Sequence, residues 1–185
     1  MPVGGRTKSQ LLQRLRELSV RMNESAERLF ADARFKTAAT KYILPTVELT
    51  VGNLGFPQGA TWEEVRTRSG HFGLDVCPLE VGPHLRLEYL DQPEGSFGAP
   101  VRRHRAPFGS VTIVSEPLDE DPDTPKGFYL RRIDGVLWLR GYRSERTFVW
   151  DPGDHLLFSC STDSPSRASD PHWAEETRDP RRERR

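Results

Sequence analysis

The stretch DVCPLEVGPHLRLEYLDQP, residues 75–93, brings together side-chain types that acid–base and nucleophilic catalysis use. Cys77 is a candidate nucleophile, and Glu80 and Arg86 are the other candidate catalytic residues, which would act with a histidine. Cys77 precedes Pro78 and does not open a helix, so nothing in the local sequence favours its thiolate. We therefore expect Cys77 to be a buried packing thiol, and we expect Glu80, Arg86 and Glu88 to carry any chemistry of this stretch.

The alternating pattern of residues 84–90 predicts a β-strand with one dry face and one wet face. The wet face would carry His84, Arg86 and Glu88, while two prolines and Gly82 would make the preceding residues a rigid corner. Such a row is either a binding or catalytic face or a solvated charge ladder of small net effect, and we favour the ladder.

The segment FYLRRIDGVLWLRG, residues 128–141, predicts a β-hairpin. Its centre, Asp134-Gly135, suits a two-residue turn in which both central residues have positive φ. The resulting register stacks guanidinium groups on aromatic rings along one face, which suits a protein partner or, less favourably, single-stranded nucleic acid. The alternative is that the N-terminal helix covers this face. The predicted binding residues are Arg131, Trp138, Arg140, Tyr129 and the outward Glu88.

The elements around these residues have clear local signals. Apolar side chains at three- and four-residue steps over residues 7–35 predict one amphipathic helix or two shorter ones. Residues 44–51 and 110–116 alternate as strands, and Thr61 with Glu64 forms a capping box that starts another helix. The fold class predicted is α+β, with an N-terminal helix or helical hairpin and a second capped helix packed on an antiparallel sheet of about five to six strands.

Length and composition limit the organisation of the chain. With 185 residues it is long enough for one well-packed core. We expect a flexible start over residues 1–6, a single α+β domain over residues 7–160 and a disordered polar tail over residues 161–185. The chain has no apolar run of transmembrane length and no signal peptide, so the prediction is a cytoplasmic protein that does not bind membranes.

Charge and motifs exclude several classes of function. Basic and acidic residues balance at 27 each, so net charge favours neither nucleic acid nor membrane as a partner. Arginines at 102–105 and an acidic run at 116–123 flank one strand, which predicts oppositely charged loops at opposite ends of the sheet. The motifs of hydrolases, P-loop proteins, metalloproteases and dinucleotide-binding proteins are absent, and the spacing of cysteines and histidines does not suit zinc. No metal and no cofactor is predicted.

Three motifs together resemble a family of small, functionally uncharacterised bacterial proteins. They are the Gly-Ala-Thr helix start at 59–61, the Cys-Pro-x-Glu-Val-Gly-Pro-x-Leu-Arg-Leu run at 77–87 and the Asp-Gln-Pro turn at 91–93. The similarity covers roughly residues 10–158, and this chain departs from the pattern at residues 94–109, where the family has a shorter connection. The resemblance implies a shared fold and supplies no ligand, partner or reaction.

The function that these observations favour is a non-enzymatic protein-binding or regulatory module. One alternative is a small hydrolase or transferase that uses Glu80 and Arg86, or Cys77. The other is nucleic-acid binding through the arginine-rich loop and the face of the hairpin.

Overall fold

Four helices and eleven short strands make up the described part of this computed structural model, which comprises residues 1–95, 107, 109–144 and 147–160. The helices are α1 (Lys8–Glu17), α2 (Glu24–Ala31), α3 (Trp62–His71) and α4 (Val81–Glu88). The strands are β1 (Pro2–Gly4), β2 (Arg21–Met22), β3 (Lys41–Ile43), β4 (Thr46–Thr50), β5 (Ala60–Thr61), β6 (Leu74–Asp75), β7 (Val111–Ile113), β8 (Gly127–Ile133), β9 (Val136–Tyr142), β10 (Val149–Trp150) and β11 (His155–Cys160).

Two predictions fall on other parts of the chain. The tail at 161–185 and the arginine-rich loop at 102–105 lie outside the described residues. Within the described ranges, no helix has the length and apolar character needed to cross a bilayer.

A seven-stranded mixed sheet forms the centre of the fold and confirms the α+β prediction. Its strands run in the order β2-β9-β8-β7-β11-β4, and β6 also pairs with β11. The pairs β2–β9 and β7–β11 are parallel, so the sheet is not purely antiparallel as predicted. Two small antiparallel sheets, β1–β3 and β5–β10, lie beside it.

The two faces of the central sheet are covered differently. On one face, Phe128, Leu130 and Leu139 are fully buried in a cluster with residues of α1, α2 and α4. On the other face, Leu156 and Phe158 of β11 pack in a second cluster that includes residues of α3, β5 and β10. The second cluster lies toward the β11 and β4 side of the sheet, which leaves the β8–β9 side of that face without a helix from α1, α2 or α4.

Asn23 divides the N-terminal segment into the two-helix alternative of the prediction, with β2 between the helices. Its Oδ1 caps α2 by accepting from the Ala26 N–H at 3.1 Å. The same amide pairs with β9, since Oδ1 accepts from Gly141 N at 2.8 Å and Nδ2 donates to Gly141 O at 2.9 Å. A Cβ at Gly141 would lie 2.6 Å from the carbonyl carbon of Ser25, so only glycine allows this approach.

Residues 1–6, predicted as a flexible start, include backbone groups that are hydrogen-bonded to other parts of the fold. Residues 2–4 form β1, which pairs antiparallel with β3. The terminal ammonium of Met1 donates to Leu44 O at 2.7 Å. These bonds fix the first residues to the body of the fold.

The prediction of a strand at residues 84–90 is wrong, because Val81–Glu88 is helix α4. Pro83 lies in the first turn of α4, where a missing N–H costs no intrahelical hydrogen bond. Gly82 lies against β8, where a Cβ would come within 2.7 Å of Phe128 Cβ. Helix α4 is covered by α1, β1 and the hairpin strands, so only Glu88 of the helix is exposed and the sequence lacks the usual helical periodicity.

Candidate functional site

Glu80 holds two neighbouring segments against the start of α4. Its Oε2 accepts from the Ala38 N–H at 3.0 Å and its Oε1 accepts from the Tyr42 hydroxyl at 3.1 Å. Burial, followed by the nearby charge of Glu80, raises the pKa of Tyr42 to about 12, so this phenol remains a donor at neutral pH. Glu80 is itself buried, and the bonds that it accepts tie β3 and the segment before it to α4.

His84 points inward and not into the wet row that the sequence predicted. It is buried, and its Nε2 accepts from the Gly4 N–H at 3.1 Å. Glu80 Oε2 lies 3.9 Å from the same nitrogen. Burial, and then the positive charge of Arg6, lower the pKa of His84 to about 4, so the imidazole is neutral near pH 7. The hydrogen bond between Gly4 and His84 therefore joins β1 to α4.

Arg86 was also predicted to face solvent, and it is fully buried. Its Nη1 donates to Gln92 Oε1 at 2.5 Å, and its Nη2 donates to Tyr89 O. Gln92 in turn donates to Leu130 O at 3.3 Å, which joins the turn after α4 to the sheet. Burial lowers the pKa of Arg86 to about 10. These hydrogen bonds fix the position of the Asp-Gln-Pro turn.

Cys77 has the surroundings of a packing residue. It is buried in the cluster beneath α4, and its thiol donates to Leu157 O at 3.6 Å. Burial, with a smaller effect of Cys160, raises the pKa of the Cys77 thiol to about 12. A thiol with this pKa supplies little thiolate at neutral pH.

A Trp/Arg face, defined here as Arg21, Tyr129, Arg131, Trp138 and Arg140, lies on the side of the β8–β9 hairpin away from α1, α2 and α4. The predicted register is present, with Arg131 opposite Trp138 and Tyr129 opposite Arg140. The guanidinium carbon of Arg140 lies 5.0 Å from the Trp138 ring centroid and 6.0 Å from that of Tyr129. The Nε atoms of Arg131 and Arg140 are buried without hydrogen-bond partners in the described residues, and Arg140 is positioned by stacking on the two rings.

The N-terminal helices leave the Trp/Arg face uncovered, because they pack on the opposite side of the sheet. The side chains from β8 and β9 are half-buried, and Arg21 is exposed. Sequence reasoning missed Arg21, which pairs with Trp138 through β2 and lies 5.9 Å over its ring. The only local signal was the short apolar–polar–apolar run at residues 20–22. Glu88 does not join the face, because α4 lies on the other side of the sheet.

A cleft of about 320 Å³ opens at the end of β9, beside the Trp/Arg face. Trp62, Tyr142 and Trp150 provide its aromatic wall. The pairing of β5 with β10 aligns Trp150 with Ala60, two residues before Trp62, which brings these distant parts of the chain together. The rings of Tyr142 and Trp150 meet edge to face at 5.9 Å. Burial raises the pKa of Tyr142 above its ordinary value, so its hydroxyl is neutral.

The polar wall of the cleft comes from α3 and from the loop after β7. Arg66 Nη2 forms an ion pair with Glu116 Oε1 at 2.7 Å. Lys126 Nζ donates to the backbone oxygens of Asp119 and Asp121 at 2.9 and 2.7 Å. The remaining polar residues of this wall are Glu63, Ser115, Glu120 and Ser144.

The acidic loop that forms one lip of the cleft is anchored to the segment after α2. Arg34 Nη1 lies 2.7 Å from Asp119 Oδ2, and Arg34 Nη2 lies 2.6 Å from Asp32 Oδ2. The guanidinium lowers the pKa of Asp32 to about 2 and also lowers the pKa of Asp119. The anchored Asp119 backbone in turn receives the Lys126 ammonium, so the loop has a defined position beside the cleft.

Glu80, Arg86 and Cys77 are not among the residues that line this cleft. In the described ranges, no three side chains of His, Cys, Asp or Glu are grouped so that they could hold a metal ion. Comparisons with protein-family models, curated proteins and solved structures gave no match. The Trp/Arg face and the cleft are therefore the candidate functional features of the described residues.

Proposed function

We propose that this protein is a non-enzymatic binding module whose Trp/Arg face docks an acidic segment of a partner protein. The observation that carries the proposal is the grouping of Arg21, Arg131 and Arg140 around Trp138 with no acidic residue at the paired positions. In the described residues these three arginines form no ion pair, so a carboxylate-bearing partner would neutralise them. Trp, Tyr and Arg are also the residue types that dominate binding energy at protein interfaces.

An acidic protein segment fits this face better than nucleic acid does. Trp138 already has guanidinium groups over its ring at 5.0 and 5.9 Å, so a base would have to displace them in order to stack. The cleft at the Tyr142 end of the same strand face carries Glu63 and Glu116, which would repel a phosphate backbone that continues along β9. A peptide needs only a few carboxylates near the arginines.

Fluorescence anisotropy with a labelled peptide of alternating Glu and Leu tests the proposal. Trp138→Ala and Arg140→Gln should each weaken binding by about tenfold or more, because both remove contacts at the centre of the face. Arg16→Gln is the matched control, since it removes an exposed arginine of α1 on the other side of the sheet and should bind as the wild type does.

Two further probes separate the alternatives. A peptide of alternating Lys and Leu should bind much more weakly than the acidic one. If oligothymidylate binds more tightly than the acidic peptide and loses affinity steeply as salt rises, the partner of this face is nucleic acid and not a protein. Equal affinities of wild type, Trp138→Ala and Arg16→Gln for the acidic peptide would refute the docking face.

A further inference from the structure

The cleft contains a buried hydroxyl that the described residues leave without a partner. Ser115 is 1% exposed, and its Oγ makes no hydrogen bond within the described ranges. Buried polar side chains in folded proteins are nearly always hydrogen-bonded. Ser115 belongs to the wall of the cleft, and because its Oγ has almost no accessible surface, a polar group of a bound ligand would reach it only after the Ser115 side chain turns toward the open space.

The charges of the wall favour a positively charged ligand. Arg66 is engaged by Glu116, and the ammonium of Lys126 is held by two backbone oxygens. Both cations therefore already have partners, and the lining as a whole carries three carboxylates, Glu63, Glu116 and Glu120, against these two cations. Glu63 forms no ion pair or side-chain hydrogen bond with the described residues, so its carboxylate is available at the rim.

The aromatic wall favours a cation in the same place. The faces of Trp and Tyr rings attract cations within about 6 Å of the ring centroid. Trp62 and Tyr142 are half-buried, and both are among the residues that line the cleft. Such aromatic walls beside carboxylates suit weakly hydrated organic cations, whereas a metal ion needs a set of ligand atoms that the described residues do not group here.

We propose that the cleft between α3, the loop after β7 and the end of β9 binds an organic cation with a guanidinium or alkylammonium head. The head lies against Trp62 and Tyr142 near the carboxylate of Glu63, and an N–H of the ligand donates to Ser115 Oγ after the Ser115 side chain turns toward the cleft. The volume of about 320 Å³ suits a ligand at the small end of the range of protein pockets. This site is separate from the Trp/Arg face, so it goes beyond the proposed function and does not depend on it.

NMR spectroscopy of the full ¹⁵N-labelled chain tests the proposal through the indole N–H signals of Trp62 and Trp150. The probe is Nα-acetyl-arginine methyl ester, which carries one positive charge, and its neutral isostere is Nα-acetyl-citrulline methyl ester. The arginine ester should shift both indole signals saturably and bind at least about tenfold more tightly than the citrulline ester. Nα-acetyl-lysine methyl ester, whose ammonium head also carries N–H groups, should likewise bind more tightly than the citrulline ester.

Two substitutions connect the binding to the residues named. Glu63→Gln should weaken binding of the arginine ester by about threefold to tenfold, and Ser115→Ala should also weaken it. Glu27→Gln removes an exposed carboxylate from α2 on the far side of the sheet and should leave the affinity unchanged. Equal binding of the arginine and citrulline esters, wild-type affinity in Glu63→Gln, or shifts at Trp138 with none at Trp62 and Trp150 would overturn the proposal.

Discussion

Replacing His84 by glutamine should make folding less sensitive to acid. His84 is 3% exposed, and its Nε2 accepts the Gly4 N–H at 3.1 Å. A protonated Nε2 cannot accept that bond, and a buried imidazolium loses its hydration. The glutamine carbonyl can still accept from Gly4, but glutamine does not titrate, so the variant separates proton binding from packing.

The size and sign of the effect follow from the two pKa values. The pKa of histidine is about 6.5 in the unfolded chain, and that of His84 is lowered to about 4 in the folded protein. The unfolded chain therefore takes up the proton first, so the stabilisation is intact above about pH 6.5 and is lost as the pH falls toward about 4. The loss approaches about 3 kcal/mol below pH 4 and is about 2 kcal/mol near pH 5. Because Glu80 Oε2 lies 3.9 Å from His84 Nε2 and would attract a protonated imidazole, these losses of stability are upper limits.

Urea denaturation followed by tryptophan fluorescence, at about pH 8 and about pH 5, measures this effect. Between the two pH values, the wild type should lose about 2 kcal/mol more of its free energy of unfolding than His84→Gln loses. His71→Gln removes an exposed imidazole from α3 and should keep the wild-type difference. If wild type and His84→Gln lose the same free energy between the two pH values, the neutral His84 does not couple folding to pH.

Two further predictions concern Asn23, which joins α2 to β9, and the buried thiol of Cys77. Asn23→Ala should lower the free energy of unfolding by about 2 to 4 kcal/mol, because it removes the cap of α2 and leaves both backbone groups of Gly141 without their partners. Asn23→Asp keeps the acceptor and should cost less in the same urea titration; equal costs would contradict this account. In a Cys160→Ser background, Cys77 should react with iodoacetamide far more slowly than free cysteine and at the ordinary rate in concentrated urea, because burial raises its pKa to about 12. Fast labelling of Cys77 in the folded protein would instead support the hypothesis that Cys77 is a catalytic nucleophile.

The features predicted correctly from sequence are those whose causes are local. Asp134 and Gly135 adopt positive φ values of 50° and 73°, as their turn requires, and the whole hairpin register follows from that turn. Thr61 and Glu64 form the predicted capping box, with Thr61 N–H donating to Glu64 Oε2 at 2.8 Å. In each case residues within four positions of one another determine the structure, so no knowledge of the fold is needed.

The segment around α4 was misjudged because its environment is set by distant residues. Alternation of polar and apolar residues predicts a strand only where one face meets water, and His84 and Arg86 have no wet face. Their partners are Gly4 and Gln92, and Gly82 is required by Phe128. None of these pairings is visible as a local pattern.

The sequence by itself determined the chemistry available to the Trp/Arg face, because a single turn aligns Arg131, Trp138, Tyr129 and Arg140 on adjacent strands. Only the tertiary structure decided that the helices cover the opposite face and that Arg21 joins the group through β2. It also decided the existence of the cleft, whose residues Trp62, Ser115 and Trp150 are widely separated in sequence. The physical reason is that turns and caps depend on neighbours along the chain, whereas burial and the closing of a cleft depend on how whole layers pack.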